Sequence, residues 1–201
     1  MCSSDLFALQ HIDQAVAAEL MDMLQREFGN NKATFYSGVS YRNLLVLHGK
    51  EFSNAIHYHK PDSSQDLPVA ELELKANDGS PEARHTVEFL NQLSARATAL
   101  LEKHPLFKSG ESRANWIWPW SPGRKPQLPS FAERYPGKTG AIISAVDVIK
   151  GIGKCTGMDV IEVPGATGYI DTNYAGKVAA ALKALETHDF VYLHVEAIDE
   201  C

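Results

Sequence analysis

An α/β fold whose final third is a parallel sheet is predicted by two features of the sequence. Three short apolar runs, 141–146, 160–163 and 190–195, are separated by two helix-like segments. That alternation builds strand-helix-strand-helix-strand units. Polar residues gather where the runs end: Ser144, Asp147 and Lys150 after the first, the Thr167 loop after the second, Asp199 after the third. In open parallel sheets ligands bind beyond the carboxyl ends of the strands, so these residues are candidates for one crevice.

Composition narrows the function classes. With 201 residues, 22.1 kDa and 44% hydrophobic content, the chain is long enough for a sizeable core. A formal charge of −6 and a pI near 5.7 leave no basic footprint, which argues against nucleic acid or an anionic membrane as partner and favours a small metabolite. No apolar run reaches membrane-spanning length, and the start lacks the basic and apolar regions of a signal peptide, so the cytoplasm is the expected location. Cys2, Cys155 and Cys201 form no paired framework, in keeping with a reducing compartment. Cys155 reads as a small residue near a helix end.

Taken in order, residues 13–28 carry Val16, Leu20, Met23 and Leu24 at helical spacing, with Asp13 placed to cap the amino end and Gly29 to stop the helix. Runs 33–36 and 41–47, joined by Ser37-Gly38-Val39-Ser40, read as a hairpin. Residues 54–65 are polar and turn-rich and read as a loop. His57 and His59 lie in it, and alternate residues of an extended chain point apart, which is poor geometry for one metal. A helix follows from Ser80 as cap and Pro81 as first residue, with Val87, Leu90, Leu93, Ala97 and Leu100 or Leu101 as the buried stripe and Pro105 as its end. Residues 109–136 hold five prolines, all three tryptophans (Trp116, Trp118, Trp120), Arg113 and Arg124, and read as an extended crossing segment with a boundary near Gln127. Alternate spacing sets the tryptophans on one side, as an anchor between domains or the wall of a ligand cleft. In the final third the helix 174–187 presents Val178, Ala181, Leu182 and Leu185 on one face, capped by Asp171 or Thr172.

Isolated motifs weigh little. Gly151-Ile152-Gly153-Lys154 lacks the spacing of a phosphate loop, and Cys155 stands where Ser or Thr is required. Its glycines suit close helix-to-sheet contact instead. Pro164-Gly165-Ala166-Thr167-Gly168 lies between a strand and a helix, where backbone amides can cradle an oxyanion. His194 and Glu196 share a face at the end of the last strand, and one carboxylate after it, Asp199, is not a metal site by itself.

Ordered blocks weigh more. Phe35-Tyr36-Ser37-Gly38-Val39-Ser40-Tyr41-Arg42-Asn43, Ala114-Asn115-Trp116-Ile117-Trp118-Pro119-Trp120, Gly140-Ala141-Ile142-Ile143-Ser144-Ala145-Val146-Asp147, Val163-Pro164-Gly165-Ala166-Thr167-Gly168 and His194-Val195-Glu196-Ala197-Ile198-Asp199-Glu200 together resemble the archaeal-type 2,3-bisphosphoglycerate-independent phosphoglycerate mutases of the alkaline-phosphatase-like metalloenzyme superfamily. The resemblance runs from about residue 9 onward.

It implies a partial alkaline-phosphatase-like parallel-sheet core, βαβαβ, preceded by an inserted α+β substrate domain. The insertion is expected over residues 9–126 and the returning metal-binding core over 127–201. It implies interconversion of 3-phosphoglycerate and 2-phosphoglycerate through phosphoserine, with two divalent metal ions, manganese, zinc or magnesium. Asp199 carries over as a metal ligand, Lys150 as a lysine near the transferring phosphoryl group, and Arg42, Arg113 and Arg124 as contacts for the anionic substrate. The nucleophilic serine of the family is expected upstream of this chain, Ser144 is not that serine, and Ile198 stands where the family has proline or a small residue. These departures lead to the expectation of an internal fragment, inactive by itself. The alternatives are a mutase or phosphatase for another phosphorylated metabolite, including relatives named as homoserine kinases, and a non-catalytic binding module.

Overall fold

The computed structural model describes residues 12–39, 42–64, 67, 68 and 71–196. The chain divides into two compact units, Met1–Arg124 and Lys125–Cys201.

In the first unit, helix α1 (Gln14–Phe28) begins where Asp13 Oδ1 accepts from the amides of Ala15 (2.8 Å) and Val16 (3.3 Å), two of the four groups the first turn leaves without helical partners. Its apolar face packs on the hairpin of β1 (Ala33–Val39) and β2 (Arg42–Leu47). The strands are antiparallel and pair from Ala33 opposite Leu47 to Val39 opposite Arg42, with the register shifting between Tyr36 and Val39. β1 thus runs three residues past the predicted strand end. Gly38 lets it do so, because a Cβ there would lie 2.1 Å from the Arg42 carbonyl oxygen.

The predicted loop 54–65 contains a strand that two-residue runs hide from periodicity. β3 (Ile56–His57) pairs antiparallel with β4 (Lys75–Ala76), and buried Ile56 packs with Leu74 and Leu90. Helix α2 (Pro81–Leu101) starts as expected, Ser80 Oγ accepting from the Ala83 amide. Buried Thr86, which hydrophobicity does not mark, donates to the Glu82 carbonyl and accepts from the Ser53 amide (2.8 Å), tying the preceding loop to the helix. Leu93, Ala97 and Leu101 complete one core with Leu20, Met23, Leu24, Phe28 and Phe35. Pro105 opens a further short helix, α3 (Pro105–Ser109), in which His104 Nδ1 accepts from Leu106 and Gly110 ends the turn at φ 82°. Pro at the first helical position begins a helix as readily as it ends one.

In the second unit, Ser130 and Glu133 form a reciprocal capping box on the short helix α4 (Phe131–Arg134), inside the stretch predicted to be extended. β5 (Gly140–Ile143), α5 (Asp147–Cys155), β6 (Asp159–Val160), α6 (Tyr174–Ala184) and β7 (Phe190–Leu193) form a three-stranded parallel sheet in the order β6-β5-β7. The predicted βαβαβ unit is present as a mixed α/β arrangement with every residue of β5 buried. α5 contacts β5 and β6, whereas α6 contacts β7 and β5. Gly153 permits the first contact: a Cβ would meet Ile142 Cδ1 at 3.0 Å and Val160 Cγ2 at 3.1 Å.

The face of α6 differs from the prediction. Val178, Leu182 and Leu185 are exposed, and the buried positions are Lys177 and Ala184. Alanine lets the helix lie close to the sheet, so the small residues face inward and the branched stripe is left outside. The cap is Asn173, whose Oδ1 accepts from Gly176 (2.8 Å), because Thr172 is already engaged as acceptor for the Thr167 amide.

At the amino ends of the strands, Asp189 accepts from Lys138 Nζ (2.7 Å) and the Thr139 amide (2.9 Å), which joins the starts of β5 and β7. These donors, the lysine first, hold its carboxyl down at about 2. His188 meets Asp159 at 3.0 Å, and that hydrogen bond, followed by one to the Ala184 carbonyl, raises its pKa.

Candidate functional site at the carboxyl ends of the second unit's strands

Three ionisable or hydroxyl side chains meet beyond β5 and β7. The Ser144 side chain is buried and its Oγ accepts from the Val146 amide at 3.0 Å, which turns the chain from β5 into α5. One residue past β7, the His194 amide donates to the Ile143 carbonyl (2.9 Å), so the ladder continues and sets the imidazole beside Ser144, Nδ1 to Oγ 3.3 Å. Glu196 Oε2 lies 3.7 Å from the same Nδ1 and is buried without a hydrogen-bond donor among the described residues. Tyr192 stacks on the His194 ring with centroids 6.2 Å apart.

This arrangement is not a nucleophile relay. In a serine-histidine-acid triad the hydroxyl and the carboxylate sit on opposite ring nitrogens, whereas here both face Nδ1. Ser144 is accordingly a structural hydroxyl, as its place at the end of a buried strand suggests. An unpaired buried carboxylate oxygen favours a proton on the facing nitrogen, which leaves Nε2, with no hydrogen bond among the described residues, as the group open to a ligand.

Lys150 of α5 reaches Glu162, just past β6, at 3.0 Å. Its charge is therefore shared with a carboxylate, and an anion at this position competes with Glu162 for it. The glycine-rich loop is closed on itself. The Ala166 amide donates to Val163, Thr167 to Thr172 Oγ1, Asn173 to Gly165 and Gly176 to Asn173 Oδ1, at 2.8 to 3.0 Å. The amides an oxyanion cradle would offer at these four positions are already paired within the chain. Lys177, 1% exposed, lies against this loop, with Nζ donating to the Thr167 carbonyl at 3.3 Å. Sequence reading missed it. The alanines at 181 and 184, four and seven residues on, are the signal that Lys177 shares their inward face.

The three arginines of the sequence reading belong to the first unit. Arg42 begins β2 with its side chain exposed, Arg113 is exposed in the extended segment after α3, and Arg124 Nη2 donates to the Phe52 carbonyl at 3.1 Å. Trp116 and Trp118 are in contact, centroids 5.4 Å apart, and Trp118 Nε1 donates to the His59 carbonyl. The His57 and His59 rings meet edge to face at 4.9 Å, and only His57 is on a strand, which ends at that residue. The alternation argument therefore does not apply to this pair.

Asp199 lies outside the described residues. Among the described residues no three His, Cys, Asp or Glu side chains converge as ligands of one ion. His194 and Glu196 alone do not fit a divalent-metal centre, which requires several donors.

Comparison with known proteins agrees with the fold. Residues 5–107 match the family model described as 2,3-bisphosphoglycerate-independent phosphoglycerate mutase. The chain is 43% identical over 199 residues to a probable mutase of that name from Geobacter sulfurreducens and 42% identical over 198 residues to one from Methanosarcina acetivorans. Each match covers 96% of this chain and 47% of the relative, so the chain spans about half the length of the curated relatives it matches. Among solved structures, a cofactor-independent phosphoglycerate mutase from Thermoplasma acidophilum superposes with a TM-score of 0.59 at 30% identity, covering 89% of this chain and 48% of that one. The PH0037 protein of Pyrococcus horikoshii shares the fold at a TM-score of 0.69 and 23% identity, covering 92% and 43%. By sequence match along nearly its whole length, the chain belongs to the 2,3-bisphosphoglycerate-independent phosphoglycerate mutase family.

Proposed function

We propose that this chain supplies part of a metal-dependent, cofactor-independent mutase that interconverts 3-phosphoglycerate and 2-phosphoglycerate in the cytoplasm. The observation that carries the reading is identity of about 40% to curated mutases across 96% of the chain. In this reaction a serine takes the phosphoryl group from one glycerate oxygen and returns it to the other. That serine belongs to sequence outside this chain, in the half of the relatives' length it does not span. Arg42, Arg113 and Arg124 receive the carboxylate and phosphate of the substrate, since a guanidinium fork suits both groups. Lys150 attends the transferring phosphoryl group, displacing Glu162 as it does so. Residues 9–126 form the inserted substrate domain, and residues 127–201 the returning core. Two divalent ions, manganese, zinc or magnesium, belong to the proposal through the family resemblance, with Asp199 as a ligand.

The test is an assay of 2-phosphoglycerate formation from 3-phosphoglycerate with manganese present. The chain alone is expected to give no turnover, and the chain joined to the remaining portions of the Geobacter relative is expected to give it. Turnover by the chain alone overturns the division of residues, and a chimera that only hydrolyses the substrate overturns the mutase reading in favour of a phosphatase.

A further inference from the structure

A phosphoryl group that leaves one glycerate oxygen and enters another also moves a proton. The oxygen it leaves takes up a proton to become a hydroxyl, and the oxygen it enters gives one up. One side chain can serve both oxygens if it gives a proton first and takes one back afterwards. The titratable side chains at the carboxyl ends of the second unit's strands, among the described residues, include Asp147, Lys150, Glu162, His194 and Glu196. Asp147 is exposed on the first turn of α5, and Lys150 and Glu162 are paired with each other at 3.0 Å. Imidazole is the side chain that ordinarily occupies both protonation states near neutral pH, and His194 is the imidazole of this group.

The surroundings of His194 give its two nitrogens different work. Nδ1 faces Ser144 Oγ at 3.3 Å and Glu196 Oε2 at 3.7 Å, the carboxylate oxygen that is cut off from solvent. The His194 amide is tied to the Ile143 carbonyl, and Tyr192 lies nearly parallel to the ring, at 12°. The side chain is still 25% exposed, and Nε2 has no hydrogen-bond partner among the described residues. A carboxylate behind Nδ1 and an open Nε2 suit a ring that gains positive charge as Nε2 binds a proton and loses it as the proton leaves.

We propose that His194 carries the proton between the two glycerate oxygens through Nε2, with Glu196 as the positioning residue that holds Nδ1. This deepens the mutase reading and rests on it. In the first half the serine oxygen, from sequence outside this chain, bonds to phosphorus. The bond from phosphorus to O3 of 3-phosphoglycerate breaks, its electron pair stays on O3, and the proton on His194 Nε2 passes to O3. The ring is then neutral, with its remaining proton on Nδ1 facing Glu196. In the second half O2 of the same glycerate bonds to phosphorus and its proton returns to Nε2. The bond from phosphorus to the serine oxygen breaks, and that oxygen regains the electron pair it supplied. One P–O bond forms and one breaks in each half, and ring and serine end as they began.

The test uses the chain joined to the remaining portions of the Geobacter relative, with manganese present. Serine phosphorylation is followed in a single turnover by rapid quench and mass spectrometry. Two donors are compared: 3-phosphoglycerate, whose departing alkoxide needs a proton, and p-nitrophenyl phosphate, whose departing phenolate does not. H194Q is expected to slow phosphorylation by 3-phosphoglycerate about a hundredfold more than phosphorylation by p-nitrophenyl phosphate. E196Q is expected to change the same ratio about tenfold. A ratio unchanged in H194Q overturns the proposal, because damage to the fold slows both donors alike. A second measurement needs no turnover. In the chain by itself, diethyl pyrocarbonate, which acylates an open imidazole nitrogen, is expected to modify His194 by mass spectrometry. A His194 that stays unmodified while the exposed His57 reacts overturns the proposal. A chimera that phosphorylates its serine but releases phosphate to water sinks the mutase reading, and the donor ratio then decides the role of His194 in the first half in the same way.

Discussion

Asp189 is a surface carboxylate that acts as a clasp. Its pKa of about 2 lies below the ordinary value of 3.8, so its contribution to stability is complete above pH 4 and is lost as pH falls from about 4 to about 2. His188 acts with the opposite sign. Its pKa is raised above 6.5, so its pairing with Asp159 contributes fully below that pH and is lost as pH rises through the raised value. The amino ends of the strands are therefore held best in mildly acid solution. Asp189→Asn is expected to flatten the fall in melting temperature between pH 4 and pH 2, and His188→Gln to flatten the decline above neutrality. Profiles parallel to that of the unsubstituted protein would show that these contacts do not set the pH response. At the opposite end, nitrogen NMR of His194 is expected to show the neutral ring protonated at Nδ1, with Glu196→Gln shifting the tautomer toward Nε2. An unchanged tautomer in that variant removes Glu196 as the group that orients the ring.

At the scale of elements, the two glycines of α5 are set by different constraints. Gly151 has open space where a Cβ would lie, and Gly153 has Ile142 and Val160 at 3.0 and 3.1 Å. Gly151→Ala is expected to stabilise by about 0.5 to 1 kcal/mol through helix propensity. Gly153→Val is expected to destabilise by about 1 to 3 kcal/mol, since its methyl groups must push the sheet away. Urea midpoints compare the two, and equal effects would mean that α5 does not press on β5. Helices were the elements most legible in the sequence, because Asp13, Ser80 and Pro81 announce their ends in residue types that have one physical use there. The short elements were not: β3 and β4 pair over two residues each, and α4 rests on a capping box within a proline-rich stretch. Periodicity needs more residues than these provide. The inward face of α6 was misread for another reason. Hydrophobicity ranks Leu182 above Ala184, but closeness of packing selects the smaller side chain.

For the whole molecule, the division between Arg124 and Lys125 falls where residues 123–127 are exposed and lack regular structure. Brief trypsin treatment is expected to cut first at the Arg124-Lys125 bond and to release two pieces, because cleavage requires an extended, accessible backbone. Mass spectrometry identifies the first products, and early cuts within Gln14–Phe28 or Pro81–Leu101 would contradict the division. The parallel sheet was readable from the order of apolar runs alone. The candidate crevice was readable only in part: Ser144, His194 and Glu196 were visible as polar residues at strand ends, while their meeting at one nitrogen depends on the ladder bond from His194 to Ile143. Lys177 was hidden because a buried lysine has the sequence appearance of a solvated one.

β5 holds the centre of its sheet yet comes first in the chain. One flank pairs with residues near Asp159 and the other with Phe190 onward, so each side of β5 waits for sequence that is made later. During synthesis Gly140–Ile143 leaves the ribosome as an apolar segment with both hydrogen-bonding edges vacant, and the β7 edge is the last to close. The nascent chain is thus most prone to mispairing with another copy in the interval between translation of β5 and translation of β7. A stall placed in that interval, for example by slow codons within α6, lowers the soluble yield, while the same stall after Leu193 does not.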